Sequence, residues 1–174
     1  MMTLRCTQKL LRRVGASAGA GASSPTTVLG DWYANLVYAH PEQLVLCMNE
    51  RSLLVVVLPA KDFKNIGPRF RARVALLLER IGVPLPAVAA EEGEMMELAF
   101  GPTASRKVLG CLNEAAFALS DALDRGRAGS VSALEDHLSG YIYSTTKYRK
   151  PRELALELFS ASGTASGAPF RGHH

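Results

Sequence analysis

The sequence has few cysteines and no long apolar run, which argues against a disulfide-rich protein and against a membrane-spanning one. Its 174 residues include only three cysteines, Cys6, Cys47 and Cys111, which are widely spaced and lie in apolar stretches. An odd number of thiols placed in this way is typical of buried, reduced cysteines and argues against a disulfide framework. No stretch approaches the roughly 18 consecutive apolar residues of a membrane helix. We therefore expect a cytoplasmic protein without a membrane partner.

Motifs for common catalytic and metal sites are also missing. The sequence has no Walker loop, no GxSxG elbow, no HExxH and no Cys/His spacing typical of zinc. His40 and His137 are isolated, and His173 and His174 at the end of the chain are consistent with the remnant of a tag. The sequence therefore predicts no cofactor and no metal ion. It leaves open whether the protein is an enzyme.

Charge is present but unevenly distributed along the chain. The formal net charge is +4, yet the first thirty residues contain four bases and no acid. Residues 91–97 contain four carboxylates, and residues 147–152 contain four bases and no acid. Patches of this kind bear on the partners of a protein rather than on its fold.

The pattern of apolar residues predicts an α+β fold. Strands are predicted over 3–7, 33–38, 43–48, 53–58 and 96–101, and helices over 8–14, 68–81 and 105–125, from Ser132 and from Pro151. Short turns join the middle three strands, which is typical of an antiparallel meander, and the third, LLVVVL, is apolar on both faces and so is expected to be central. We expect an antiparallel sheet of about five strands packed by four to five helices, with helix 105–125 central.

The chain length indicates one domain, which we place at residues 1–159. Residues 16–25, ASAGAGASSP, have too few large apolar side chains to pack, and they predict a flexible loop. Residues 160–174, SASGTASGAPFRGHH, predict a disordered tail. Ser132 and Glu135 have the spacing of a capping box and predict a helix start there.

Gly110 lies in the interior of the predicted helix 105–125, where glycine costs about 1 kcal/mol relative to alanine. At 100° per residue, Gly110 shares one face with Arg106, Asn113 and Phe117, opposite the apolar face of the helix. An exposed face would have no use for Phe117 or for a glycine, so we expect the helix to be covered on both sides. Either close packing within the fold or a ligand crossing between Arg106 and Asn113 would explain the glycine.

One candidate site combines carboxylates with arginines. Asp31 precedes a predicted strand, and Glu50 and Arg51 lie in the turn MNERSL. If the two carboxylates converge beside Arg51, Arg106 and Asn113, they could bind a metal and a phosphate, as in a small nuclease-like or toxin-like hydrolase. The alternative is that Asp31 caps its turn by accepting backbone N–H bonds and that Glu50 and Arg51 are charges at the rim. Arg106 and Asn113 would then bond nearby carbonyls. Linear spacing does not decide between the two interpretations.

A second candidate site is the stretch GYIYSTTKYRKPR, residues 140–152, which interleaves tyrosines with bases. Bases neutralise phosphates and tyrosines stack on unpaired nucleobases, so the combination is typical of single-stranded nucleic-acid binding. Its members are Tyr141, Tyr143, Lys147, Tyr148, Arg149, Lys150 and Arg152. The alternative is a surface loop with two tyrosines in the core. The favoured function is a non-enzymatic binding or regulatory module for nucleic acid or a protein, with the hydrolase and an antitoxin-like protein partner as alternatives.

Five blocks occur in order along the chain: LRCTQKLL, LGDWYANLV, QLVLCMNERSLLVVVLPA, RFRARVALLLERIGV and RKVLGCLNEAAF. The series resembles a family of small uncharacterised bacterial proteins, a domain of unknown function, over roughly Thr3 to Arg125. Its most specific blocks are GDWYAN, NER and VLGxxN. The resemblance implies a bacterial cytoplasmic protein that retains its first strand, and it implies no activity, cofactor or catalytic residue.

Overall fold

A computed structural model describes residues 1–16, 23–39, 41–127 and 129–165 of the chain. The strands are β1 (Met2–Cys6), β2 (Trp32–Ala39), β3 (Glu42–Asn49), β4 (Val55–Pro59) and β5 (Leu98–Pro102). The helices are α1 (Gln8–Val14), α2 (Ile66–Ile81), α3 (Leu85–Glu94), α4 (Arg106–Asp124), α5 (Val131–Ser139) and α6 (Pro151–Ala165), with 3-10 turns at Phe63–Asn65 and Ser144–Thr146. Residues 17–22 of the predicted loop, His40, and residues 166–174 of the predicted tail lie outside the described residues.

The described strands form one mixed sheet in the order β4-β3-β2-β1-β5. The predicted meander is confirmed, because β2, β3 and β4 pair antiparallel. However, β1 pairs parallel with both β2 and β5, so the prediction of an antiparallel sheet is wrong. Parallel neighbours need crossover connections instead of tight turns. Here α1 crosses between β1 and β2, and α2 and α3 connect β4 to β5 on the opposite edge.

Strand β4 lies at the edge of the sheet and not at its centre, where its apolar sequence predicts it. Its side chains are nevertheless buried on both faces, because α2 packs on one side and α5 on the other. An apolar edge strand also has to protect its free backbone groups. The carbonyl of Pro59, which has no N–H, accepts a hydrogen bond from Arg69 at 2.8 Å, and the N–H of Val57 donates to Glu135. Burial on two faces therefore does not require a central position.

The sheet separates two apolar cores. On one face, α1, α2, α3 and α6 cover a core in which Trp32 packs edge-on against Phe70 with ring centroids 5.3 Å apart. Trp32 is therefore a core residue. On the other face, α4 and α5 cover a second core that includes Tyr33 and Tyr143. Each helix consequently buries one stripe against a sheet that is apolar on both faces.

Local patterns identified some helices and missed others. Helix α2 buries Phe70, Val74, Leu77 and Leu78, as its apolar stripe predicts. Helix α3 was not predicted, because its sequence reads as an acidic run and only Val88 and Glu91 are buried among its described residues. Helix α6 continues to Ala165, past the predicted start of the tail at Ser160.

Helix α5 begins without the predicted capping box. Its N-cap is Ser130, whose hydroxyl accepts the N–H of Ala133 at 3.1 Å. Ser132 accepts instead from the guanidinium of Arg73, and the carboxylate of Glu135 points into the protein. The matching spacing reflects a tertiary contact and not a helix cap.

Helix α4 packs against β2, β3 and α5, and its buried residues lie on one face. The face with Arg106, Gly110, Asn113 and Phe117 is exposed, and no heavy atom of the described residues would lie within 4 Å of a Cβ at Gly110, outside its own helix turn. The expectation that α4 is covered on both sides is therefore wrong within this chain. The element that is buried on both sides is the sheet and not α4, because the two cores lie on opposite faces of the sheet. Among the described helices, none is both long and apolar enough to cross a membrane.

Candidate anion-binding site

The turn between β3 and β4 is built around the side chain of Asn49, which is fully buried. Its amide nitrogen donates to the carbonyls of Leu29 at 2.7 Å and Asp31 at 3.2 Å. Its amide oxygen accepts the N–H of Arg51 at 3.1 Å and of Ser52 at 2.8 Å. These bonds join the turn to the loop that precedes β2. The orientation of the side chains in the NER block therefore depends on a distant part of the chain.

At Gly30, the side chains of Glu50 and Arg51 approach the backbone so closely that a side chain would not fit. Its φ is +76°, and a Cβ there would lie 2.5 Å from a carboxylate oxygen of Glu50 and 2.8 Å from Nε of Arg51. The same Glu50 carboxylate accepts the N–H of Asp31 at 2.9 Å, and Nη1 of Arg51 donates to the carbonyl of Val28 at 2.9 Å. A side chain at position 30 would displace both charged groups. Gly30 therefore keeps Glu50 and Arg51 against the loop.

Asp31 and Glu50 do come together, but their carboxylates serve different partners. The Asp31 carboxylate is buried, where Oδ1 accepts the N–H of Thr3 at 2.9 Å and Oδ2 forms an ion pair with Arg5 at 2.9 Å. It thereby joins β1 to the start of β2. Of the three other members of this predicted site, Arg51 follows Glu50 in the turn, and Arg106 and Asn113 lie on the exposed face of α4. The predicted carboxylate and arginine pocket is therefore only partly assembled.

A cavity of about 520 Å³ lies where the β3–β4 turn, the start of α4, the segment 144–149 and α6 meet. Its described lining residues are Glu50, Arg51, Leu53, Ser105, Lys107, Val108, Thr145, Thr146, Lys147, Arg149 and Leu154. The cavity brings together Glu50 and Arg51 from one predicted site and Lys147 and Arg149 from the other. We call it the basic cavity.

Cations outnumber acids around the basic cavity. Arg51, Lys107, Lys147 and Arg149 line it, against Glu50 as the carboxylate among its described residues. Arg149 also forms an ion pair with Glu157 on α6. Within the described part of the chain, Lys107 and Lys147 have no carboxylate partner. The local field is therefore positive, and the N-terminus of α4 adds to it.

Sequence reasoning missed Lys107 and the hydroxyl groups of the basic cavity. Lys107 follows Arg106 directly, and one helical step of 100° takes it from the outer face of α4 to the cavity. Ser105 caps α4 by accepting the N–H of Val108 at 3.3 Å, which keeps its hydroxyl at the cavity wall. The N-cap spacing was a usable signal for Ser105. No local signal identifies Lys107, because it needs the position of the segment 144–149.

The segment that supplies Lys147 is strained. Lys147 and Tyr148 both have positive φ, +52° and +63°, which costs side-chain-bearing residues about 1–3 kcal/mol each. The hydroxyl of Thr146 lies 2.8 Å from the carbonyl oxygen of Tyr143 and 2.9 Å from that of Arg149, so it braces the segment from inside. Strain of this kind clusters at functional sites.

The tyrosines of the predicted patch are dispersed. Tyr143 is buried in the second core with its ring 5.1 Å from that of Tyr141, and burial raises the pKa of its hydroxyl. Tyr141 lines a separate groove between α4 and α5, and Arg152 lines a third cavity beside α2. The backbone N–H of Lys150 faces Glu153. Tyr148, which follows Lys147, is the most exposed of the three tyrosines, at 75%.

The three cysteines are free and buried, as their apolar surroundings predict. Burial raises the pKa of Cys6 to about 12 and that of Cys47 well above its usual value. Cys111 lies behind the basic cavity, with its sulfur 3.2 Å from the hydroxyl of Thr145. In the described ranges, no three His, Cys, Asp or Glu side chains are grouped as a metal site would need.

A family model described as a domain of unknown function, DUF6933, matches residues 3–154. The match continues past Arg125, where the resemblance identified from the sequence ends, and includes the segment that supplies Lys147 and Arg149. The chain matches no curated protein.

Proposed function

The chain belongs to this family of unknown function, DUF6933, and from the basic cavity we propose that it is a non-enzymatic binding module for single-stranded nucleic acid, acting in the bacterial cytoplasm. One observation carries the proposal. Arg51, Lys107, Lys147 and Arg149 come from three separate segments of the chain and line the same cavity. Lysine and arginine side chains that converge in this way neutralise phosphates and release condensed counterions.

The two lysines are central to the proposal. Arg51 and Arg149 already have partners within the protein, the carbonyl of Val28 and the carboxylate of Glu157. Lys107 and Lys147 have none among the described residues, so an incoming phosphate would supply their counter-charge. The hydroxyl groups of Ser105 and Thr145 on the same wall add hydrogen-bonding capacity for phosphate oxygens.

The preference for single strands rests on Tyr148. Its ring is exposed and follows Lys147 directly, so a base next to the bound phosphate could stack on it. Bases in a duplex are already stacked and paired, and they do not present a free face. We therefore expect single-stranded oligonucleotides to bind more tightly than duplexes of the same length.

The test is fluorescence anisotropy with a labelled single strand of about 12 nucleotides, titrated at several salt concentrations starting near 50 mM. Affinity should fall as salt rises. Lys107→Ala and Lys147→Ala should each reduce the log–log salt slope by roughly 0.7 for each phosphate that the variant no longer neutralises. Lys64→Ala, an exposed lysine on the 3-10 turn before α2 and outside the basic cavity, is the matched control and should leave the slope unchanged.

The alternative function, a small hydrolase, is supported by fewer observations than nucleic-acid binding. Glu50 is the carboxylate at the basic cavity and lies beside Arg51, so it is the group that a hydrolase would use as a base. The carboxylate of Asp31 is already bound to Arg5 and to the N–H of Thr3. Cleavage of the oligonucleotide by the wild type that is absent in Glu50→Gln would favour the hydrolase. Absence of salt-sensitive binding at about 50 mM salt would contradict the nucleic-acid proposal and favour an antitoxin-like protein partner.

A further inference from the structure

The outer face of α4 carries an exposed aromatic ring and an exposed glycine, seven residues apart. Phe117 is 78% exposed, and Gly110 lies on the same face with open space around it. Each feature is unfavourable on a solvated helix, because the glycine lowers helix propensity and the ring stays in water. Both become favourable where another helix packs on this face.

The exposed residues of this face are arranged in matching pairs about the middle of the helix. Counting outward from the peptide bond between Asn113 and Glu114, Gly110 and Phe117 are equally distant from the centre, as are Arg106 and Asp121. In two antiparallel helices related by a two-fold axis at that centre, each residue lies opposite the other member of its pair. We infer that α4 is the interface of a symmetric dimer, in which the α4 helices of two copies pack antiparallel about this axis.

The pairing of Gly110 with Phe117 gives the dimer its packing. With no side chain at Gly110, two helices can approach toward the close end of the usual 8–10 Å range and leave a hole between the flanking side chains. The ring of Phe117 from the second copy fills that hole, and the symmetry repeats the contact. The spacings from Arg106 through Gly110 and Asn113 to Phe117 are four, three and four residues, the spacing of a coiled-coil seam.

Charge decides the direction of the two helices. Within α4, the base of this face lies at the start, with Arg106, and its acids lie in the middle and later turns, with Glu114 and Asp121. Asp121 also forms an ion pair at 2.8 Å with Arg125, the residue directly after the helix. An antiparallel pair puts Arg106 opposite Asp121 and Asn113 opposite Glu114 in the partner copy. A parallel pair would put Arg106 opposite Arg106 and Asp121 opposite Asp121. The face is therefore complementary to itself in the antiparallel direction only.

The apolar area extends beyond the helix. Phe117 and the half-exposed Tyr141 line the groove between α4 and α5, and the exposed Ile142 follows in the chain. These side chains widen the contact beyond one helix pair, as an interface of about 1,000 Å² or more needs. Arg106 of the proposed contact is not among the described lining residues of the basic cavity, whereas Ser105, Lys107 and Val108 are.

The first test is the molar mass of the full chain in solution by light scattering. The monomer mass is 18.7 kDa, and we expect the wild type to approach twice this value as concentration rises. Phe117→Asp should give a monomer. The melting temperature of this variant should match that of the wild type at a low concentration, where the wild type is dissociated, because the ring of Phe117 contributes little to the monomer core. A wild type that stays monomeric at high concentration, or a dimer that survives Phe117→Asp, overturns the inference.

The second test uses the predicted charge pair. Arg106→Glu places like charges opposite Asp121 of the partner copy and should abolish the dimer, whereas Arg106→Glu combined with Asp121→Arg restores opposite charges and should recover it. Arg12→Glu, the same charge reversal on the exposed side of α1, is the control and should leave the dimer intact. Failure of the double variant to recover the dimer overturns the antiparallel arrangement.

Discussion

The carboxylate of Glu135 on α5 accepts the backbone N–H of Val57 on the edge strand β4, with 2.9 Å between the two atoms. The same carboxylate, fully buried, forms ion pairs with Arg73 at 2.7 Å and Arg80 at 2.9 Å, both on α2. One side chain therefore joins helices on opposite faces of the sheet and blocks a free N–H that another strand could otherwise pair with.

Replacing Glu135 should be strongly destabilising. Glu135→Ala leaves two arginines without their buried partner and the N–H of Val57 without an acceptor, and we expect a loss of about 3–5 kcal/mol in the free energy of unfolding. Urea denaturation measures it. Asp136→Asn is the matched control, since Asp136 pairs with the same Arg80 from an exposed position and should cost less than about 1 kcal/mol. Equal losses in the two variants would contradict this role for Glu135.

The free energy of unfolding should depend on pH because of the buried carboxyl of Glu91. Burial raises the pKa of its carboxyl, although the hydrogen bonds from the N–H groups of Leu29 and Val28 act in the opposite direction. A carboxyl with a raised pKa binds its proton more tightly in the folded state. Its contribution to stability is therefore fully present below the unfolded pKa, about 4.3, and is lost as pH rises through the higher folded value.

The measurement is the free energy of unfolding from urea titrations across this pH range, for the wild type and for Glu91→Gln. The free energy of unfolding of the wild type minus that of the variant should decline as pH rises from about 4.3 through the folded pKa of Glu91, because the variant cannot ionise. An increase with pH would mean that the N–H bonds outweigh burial and that the pKa is lowered. Glu92→Gln, from the neighbouring and less buried position, is the control.

Gly110→Ala should stabilise the monomer. The position is helical, exposed and free of neighbouring atoms among the described residues, so alanine gains helix propensity of up to about 1 kcal/mol without a clash. The measurement belongs in the Phe117→Asp background, where association does not contribute to unfolding. A lower melting temperature there would show that this face is covered within a single chain.

Gly30→Ala should have the opposite effect. Its φ is +76°, and the new Cβ would lie 2.5 Å from the carboxylate of Glu50, so both strain and a clash oppose the substitution. We expect a loss of more than about 1 kcal/mol in thermal or urea unfolding, together with a displacement of Glu50 and Arg51 from the basic cavity. Unchanged stability would contradict the close approach.

Tyr148→Ala separates stacking from charge. If its ring stacks on a base, the substitution should weaken binding of a single strand by about 1–3 kcal/mol and leave the salt slope unchanged. Lys147→Ala, one residue earlier, should change the slope instead. Anisotropy titrations of both variants at several salt concentrations distinguish the two effects. A change of slope in Tyr148→Ala would contradict a stacking role.

Local sequence was sufficient for several features that depend on neighbouring residues. The range of α1 and its end at Gly15, the apolar stripe of α2 and the three-strand meander all follow from periodicity, capping and short turns. Glu50 and Arg51, which lie in one turn, were selected as candidates in the same way, and their role stays a prediction. Each of these features depends on residues only a few positions apart, and local backbone geometry links such residues directly.

Tertiary structure decided the features that depend on distant partners. The parallel pairing of β1, the edge position of β4 and the role of Glu135 depend on contacts between residues far apart in the chain. Lys107 and Lys147 likewise meet only because α4 and the segment 144–149 pack beside the same turn. By itself, the sequence determined most of the elements and the apolar faces of the amphipathic ones, because helix and strand periods are local; it missed α3, whose apolar stripe is short. Which elements become neighbours was decided by the burial of all those faces at once, and this also determined which charges share a cavity.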